Sequence, residues 1–204
     1  MADVVDAMLE ASKQVFREND RDKVIAISHE DDILDQLNGA IQHYLAGIQP
    51  EALNRDETTR VSEILSLAIN LEHIGDIIDK NLMELAGKRI RQQMMFTPDM
   101  LAEIDEMHDR LREHLRLALA VFMFSDQDAA RRLVAEKERF RAFEEGARGR
   151  HLGLIESGQA FGLALNALLL DITRDLKRIE AHIATTAHSL LERGGQLRQS
   201  RLTN

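Results

Sequence analysis

Two stretches of this chain, about 105 residues apart, carry the same helical seam. In LALNALLLDITRDLKRIEAHIATTAHSLL, from Leu163, the residues Leu165, Leu169, Ile172, Leu176, Ile179, Ile183 and Leu190 recur at steps mostly alternating between four and three. In VSEILSLAINLEHIGDIIDKNLMELA, from Val61, the matching positions are Ile64, Leu67, Leu71, Ile74, Ile78 and Leu85. Apolar residues at that spacing form one stripe on a helix, and the stripe needs other helices to cover it. Two copies in one chain predict a duplicated, all-α protein.

The repeat extends beyond the seams. FRENDRDKVIAISHEDDILDQL, from Phe16, aligns with FMFSDQDAARRLVAEKERFRAF, from Phe122. Phe16 pairs with Phe122, Asp20 with Asp126, Asp22 with Asp128 and Glu30 with Glu136. Each unit reads as long helix, helix, long helix. The expectation is six main helices in two tandem antiparallel three-helix bundles, at 1–93 and 97–195, with a polar tail at 196–204. The first helix runs from about Asp3 to Asn19, with Val5, Met8, Ser12 and Val15 inward. The second runs from about Asp22 to Gly47, with Ile25 (or Ala26), Ile33, Leu37, Ile41, Tyr44 and Leu45 inward, which leaves Glu30, Asp31, Asp32 and Asp35 on the opposite face. GIQPEALNRDE connects it to a third helix from about Asp56 to Arg91. Thr97, Pro98 and Asp99 start the fourth, as N-cap, first-turn proline and first-turn acid. The turn at 125–128 caps the fifth, which runs to about Arg150. The sixth begins near Ser157 and stops at Gly194–Gly195. Gly75 belongs at a close helix contact.

Composition excludes several classes. There is no cysteine, so neither a disulfide framework nor a thiolate site exists. Net charge is −9, with 18 acids against 10 bases in residues 1–96 and 17 against 16 in 97–204. Such a chain is not built to neutralise nucleic-acid phosphates. FGLALNALLL, from Phe161, is too short to span a bilayer, and the acidic MADVVDAML does not read as a signal peptide. Direct membrane insertion of this segment is not expected. No Glu-x-x-His, His-Glu-x-x-His, P-loop, GxGxxG or nucleophile-elbow pattern occurs.

Acidic residues beside the seams are the candidate chemistry. Glu72, Asp76 and Asp79 follow at steps of four and three, so an unbroken α-helix would show them on one face. Like charges at that spacing repel, and a cation, arginines from a neighbouring helix or plain solvent would each relieve them. Hard oxygen ligands suit iron, manganese, magnesium or calcium. Beside the second seam lie Asp171 and Asp175, each three residues before an arginine, Arg174 and Arg178.

LEHIGDIIDKNL, from Leu71, resembles the Leu-Glu-Arg-Ile-Gly-Asp-His signature of PhoU proteins, the phosphate-signalling regulators, and LKRIEAHI, from Leu176, resembles its second copy. AINLEHIGDIIDKNLMELA is similar to the PhoU-like C-terminal domain of bacterial sodium/phosphate cotransporters of the type II-related family, through Asn70 before the motif and Asp79-Lys80-Asn81 after it. The resemblance implies two similar three-helix bundles and metal binding by acidic motifs. Glu72 and Asp76 match the first motif. In the second, Lys177 and Ala181 stand where the family has acids, and Asp171 and Asp175 come earlier. The implied function is a non-enzymatic, cytoplasmic regulatory domain of a sodium-dependent phosphate transporter, at the inner face of the plasma membrane. Its implied partner is a membrane-transporter segment of the same or another chain, with a homodimer as a further candidate. The other readings are a stand-alone PhoU-like regulator of phosphate ABC transport or signalling, and a metal-dependent enzyme using Glu72, Asp76 and Asp171.

Overall fold

The computed structural model describes residues 1–49, 53–156 and 163–193, with side chains through 150 and for 163–185. Among these residues there are helices and no strands. α1 is Ala2–Glu18, α2 Arg21–Ala46, α3 Arg55–Asp76, α4 Met83–Arg91, α5 Pro98–Phe124, α6 Gln127–Glu156 and α7 Leu163–Arg193. A π-helical turn, Ile77–Leu82, joins α3 to α4 with helical backbone on both sides, so the three form one rod. Counted that way there are six rods in the expected order. The expected start of the last helix near Ser157, its stop at Gly194–Gly195 and the polar tail lie outside the described residues.

Local sequence sets most of the boundaries. The aligned pair Asp20 and Asp126 do the same work in both halves. Asp20 accepts from the backbone N–H groups of Asp22 and Lys23 at the start of α2, and Asp126 from those of Asp128 and Ala129 at the start of α6. Asn54 and Glu57 close a reciprocal capping box on α3. Thr97 caps α5 with Pro98 as its first residue. α6 continues to Glu156, six residues beyond the expected end.

The two halves share one core. From α1, Val5, Met8, Leu9, Val15 and Phe16 enter it; from α7, Leu169, Ile172, Leu176, Ile179 and Ile183. The α7 seam therefore reads correctly from Leu169 to Ile183, and the other at Leu71, Ile74 and Ile78, while the side chain of Leu190 lies outside the described residues. α1 packs on α5 and α3 on α7, so the repeats interlock. Ser12 and His108 meet inside the α1–α5 contact at 2.8 Å. His108 Nδ1–H donates to the Ile104 carbonyl, which leaves Nε2 to accept from the Ser12 hydroxyl. Around this buried pair, Arg112 holds Asp6 at 2.8 Å and Lys13 holds Asp109 at 2.6 Å.

α2 departs from the expected packing. Its inner face is Val24, Ile27, Asp31, Leu34 and Ile41, not the stripe expected from Ile25, Ile33, Leu37 and Tyr44, all four of which are exposed. The helix carries apolar residues on two sides, and only the side bearing Asp31 meets α1 and α3.

Leu176 is wholly buried at the centre of the shared core. Leu176→Ala should lower unfolding stability by about 2–5 kcal/mol. A denaturant titration checks this, and an unmoved midpoint would mean the core does not depend on the α7 seam.

Candidate functional site

The site grows from one glycine. A Cβ at Gly75 would lie 2.4 Å from Leu34 Cδ2 and 2.8 Å from Asp31 Oδ1. Only a residue without a side chain lets α2 approach the α3 backbone this closely. The approach drives the Asp31 carboxylate into the α2–α3 contact, where it is 5% exposed and its Oδ1 has no hydrogen-bond partner. Burial, then the charges of Asp79 and Asp76, raise its pKa from 3.8 to about 6.

The neighbouring acids are crowded too. Burial raises the pKa of Glu72, with Asp76 adding to the effect. Burial also raises that of Asp79, partly offset by Lys80 and a hydrogen bond with Ser28. The one cation on this helix face, Lys80, pairs with Asp76.

The π turn corrects the expectation that Glu72, Asp76 and Asp79 share a face. A π turn bonds i to i+5, so residues after its start rotate back relative to an α-helix. Asp79 consequently lines a cleft with Ser28, Asp32 and Met83. Asp76 lines a separate cleft of about 320 Å³ with His73, Lys80, Asn81, Arg178 and His182. Among the described residues, no three His, Asp or Glu side chains converge at metal-coordinating distance. Even so, an orphaned carboxylate oxygen and four acids with one lysine fit the chemistry of a hard cation.

The second cleft lies where the repeats meet. The His73 and His182 rings are edge to face, 5.1 Å between centroids. Asn70 donates its amide to the Ser66 carbonyl at 2.7 Å, so its Oδ1 accepts from His182 Nδ1–H at 3.0 Å. Burial, His73 and Arg178 lower the His182 pKa, so the ring is neutral at pH 7 and its Nε2 carries the lone pair.

The second acidic stripe is closed. Asp171 pairs with Arg174 at 3.0 Å, and the buried Asp175 with Arg178 at 2.9 Å and Arg174 at 3.7 Å. Lys177, where Glu72 stands in the first half, binds the buried Glu144 at 2.7 Å. Glu180 occupies the position of Gly75. Its carboxyl is buried 3.9 Å from the buried His114, too far for a hydrogen bond. Burial holds Glu180 up to about 7 and His114 down to about 4. Around pH 6 this is a contact of neutral groups, not an ion pair.

Asp31 is the buried acid that the sequence reading set on the wrong face. Its signal was the register Val24, Ile27, Asp31, Leu34, at steps of three, four and three.

Residues 1–84, which hold Asp31, Glu72, Gly75, Asp76 and Asp79, match the model of the PhoU domain. That match covers the first 84 of the chain's 204 residues. The chain's fold matches the crystal structure of PhoU from Pseudomonas aeruginosa with a TM-score of 0.79, covering 94% of this chain and 90% of that one; at 19% identity this likeness concerns the fold. Among curated proteins, it is 31% identical over 196 residues to the "Putative inorganic phosphate export protein YjbB" of Salmonella typhimurium, and 30% identical over 192 residues to the protein of the same name in Escherichia coli K12. These alignments cover 96% and 94% of this chain but 36% and 35% of the relatives. The chain thus spans about a third of the length of the relatives it matches.

Two pH effects follow. The folded state keeps a proton on Asp31 up to about pH 6, while the unfolded chain loses it near 3.8, so this group's contribution is full below that range and falls away as pH rises to about 6. In metal-free protein at pH 7.5, Asp31→Asn should raise stability by about 1 kcal/mol after discounting for solvent screening. For Glu180 the corresponding window runs from 4.5 to about 7. Glu180→Gln should stabilise the protein by about 2 kcal/mol at pH 8 and by nothing measurable at pH 4. Denaturant midpoints at the relevant pH values check both.

Proposed function

We propose that this chain is a regulatory module of phosphate homeostasis, whose α2–α3 acidic seam takes up a divalent or ferric cation. The observation carrying the cation reading is the unpartnered, buried Oδ1 of Asp31, set against the backbone of Gly75 and crowded by Asp76 and Asp79. Asp31 from α2, with Asp79 on one flank and Asp76 on the other, would hold the ion through oxygen once those side chains turn toward it, and Glu72 would add charge beside Asp76. Asp171 and Asp175 would not, because Arg174 and Arg178 already neutralise them. A bound cation would offset the repulsion across α2 and α3, so it would bias how tightly the two helices pack.

The phosphate reading is supported by the PhoU domain and by relatives named for inorganic phosphate export. Those relatives are nearly three times as long as the matched region. This favours the module acting as the cytoplasmic regulatory part of a phosphate transporter, sodium-dependent by the resemblance of its motif helix. A stand-alone PhoU-like regulator is the second reading, favoured by the match to 90% of the PhoU chain. No helix among the described residues is long and apolar enough to cross a membrane, and either reading accommodates that.

The role is regulatory rather than catalytic. Ser12 and His108 have the separation of a nucleophile and its base, but both are wholly buried, and burial holds the His108 pKa down at about 4. A base that weak, out of reach of substrate, suits packing.

In cells, removing the chain should change phosphate efflux and internal phosphate content, and Glu72→Gln/Asp76→Asn should reproduce that change. Purified without chelator, the double variant should hold less iron or manganese than the parent and lose the melting shift those ions produce. Unaltered phosphate flux on removal would overturn the phosphate reading. Equal metal content and melting in parent and variant would overturn the cation reading alone.

A further inference from the structure

α2 presents an apolar stripe to solvent between two acidic edges. Ile25 is 60% exposed, Ile33 44% and Tyr44 74%, and Leu37 lies between the last two. These four fall within about 120° around the helix and along about 28 Å of its length. The inner seam, which packs on α1 and α3, does not use them. Glu30 borders the stripe about 20° beyond Leu37, and Asp32 borders it about 20° beyond Ile25.

The charge of this face is of one sign. After Lys23 in its first turn, α2 holds no lysine or arginine through Ala46, and Glu30, Asp31, Asp32 and Asp35 fall in that span. No other helix runs so far without a cation. Lys23 itself is held by Glu18 at 2.6 Å. On α6, by contrast, exposed acids sit beside arginines, Glu136 with Arg139 and Glu145 with Arg141.

At the Ile25 end the face opens into a cleft of about 490 Å³. Val24, Ile25 and Met83 give it apolar walls, while Asp32 from α2, Asp79 from the π turn and Glu84 from α4 bring carboxylates to it. A lysine or arginine entering this cleft lays its aliphatic stem on the apolar side chains and carries its charge to the acids.

The pattern selects the occupant. A second copy of α2 would set acids against acids, and an anionic membrane surface would be repelled. A wholly apolar helix would leave both acidic edges unmatched. We infer that the outer face of α2 is a docking surface for a basic amphipathic helix of another protein. Its apolar side covers Ile33, Leu37 and Tyr44, its flanking lysines or arginines meet Glu30 and Asp32, and one cationic side chain enters the cleft beside Ile25. This surface depends on neither the phosphate reading nor the cation reading, and it shares only Asp79 with the acidic seam.

The test uses the full chain in the presence of chelator, which keeps it independent of any cation. The probe is a peptide of about 20 residues, long enough as a helix to span the stripe, with leucines at steps of three and four and lysines on both flanks. A second peptide carries glutamates in place of the lysines. Fluorescence anisotropy should show the lysine peptide binding and the glutamate peptide not. Ile33→Ser/Leu37→Ser and, separately, Glu30→Gln/Asp32→Asn/Glu84→Gln should each weaken binding at least about tenfold. Both should leave the melting curve in place, because these residues are outside the core. Asp3→Asn/Asp56→Asn/Asp99→Asn removes as many acids from exposed positions on other helices and should bind as the parent does. No binding of the lysine peptide, or equal binding of the two peptides, would overturn the proposal. An equal loss in the Asp3/Asp56/Asp99 variant would overturn it too, by reducing the effect to the chain's net charge of −9. A chain that sediments as a dimer, and as a monomer once Ile33→Ser/Leu37→Ser is made, would give the face to a second copy instead.

Discussion

The close approach of α2 to the backbone of α3 at Gly75 governs the rest of the site. With no Cβ in the way, Leu34 and Asp31 come down onto the helix itself. The tight contact buries apolar surface, and it also removes one carboxylate from water without giving both its oxygens a partner. A buried acid without compensation either holds its proton or attracts a cation. Asp31 is poised between the two, with a pKa of about 6 close to the working range.

The second half of the chain shows the same frame with that feature filled in. Glu180 stands where Gly75 does and sends its carboxyl toward His114. Lys177 replaces an acid and binds Glu144, while Arg174 and Arg178 pair with Asp171 and Asp175. Asp171, Asp175 and Glu144 each have a positive group beside them, and Glu180 rests against a neutral His114. In the first half Lys80 alone serves Asp76, and Asp31 and Asp79 bear raised pKa values. The two halves thereby differ in charge, the second with its acidic stripe paired and the first left short of positive charge.

The halves remain mechanically coupled. Ser12 and His108 bond within the α1–α5 contact, ringed by Arg112, Lys13 and Arg17 ion pairs. His73 and His182 meet across the α3–α7 contact, beside the cleft that Asp76 lines. A change in charge at the acidic seam therefore sits one residue from the junction of the repeats.

The long seams of α3 and α7, the shared Asp20 and Asp126 caps and the all-helical class were legible in the chain, because periodicity and capping act within a few residues of sequence. Gly75 as a contact point was legible too, from the absence of a side chain, and the spacing of Arg174 and Arg178 offered closure of the second stripe as one alternative to weaker cation binding by Asp171 and Asp175. Three things were not. The π turn has no distinct residue pattern, so the split of Asp79 from Asp76 could not be read. α2 offers apolar residues on two sides, and its more hydrophobic side, with Ile33, Leu37 and Tyr44, proved to be the outer one. Asp31 turned inward with the other side. Local sequence determined which helices form and where they start, since those terms are short-range. Which face of α2 meets α3 was decided by the fit between two surfaces distant in sequence, and the chemistry of the site depends on that fit.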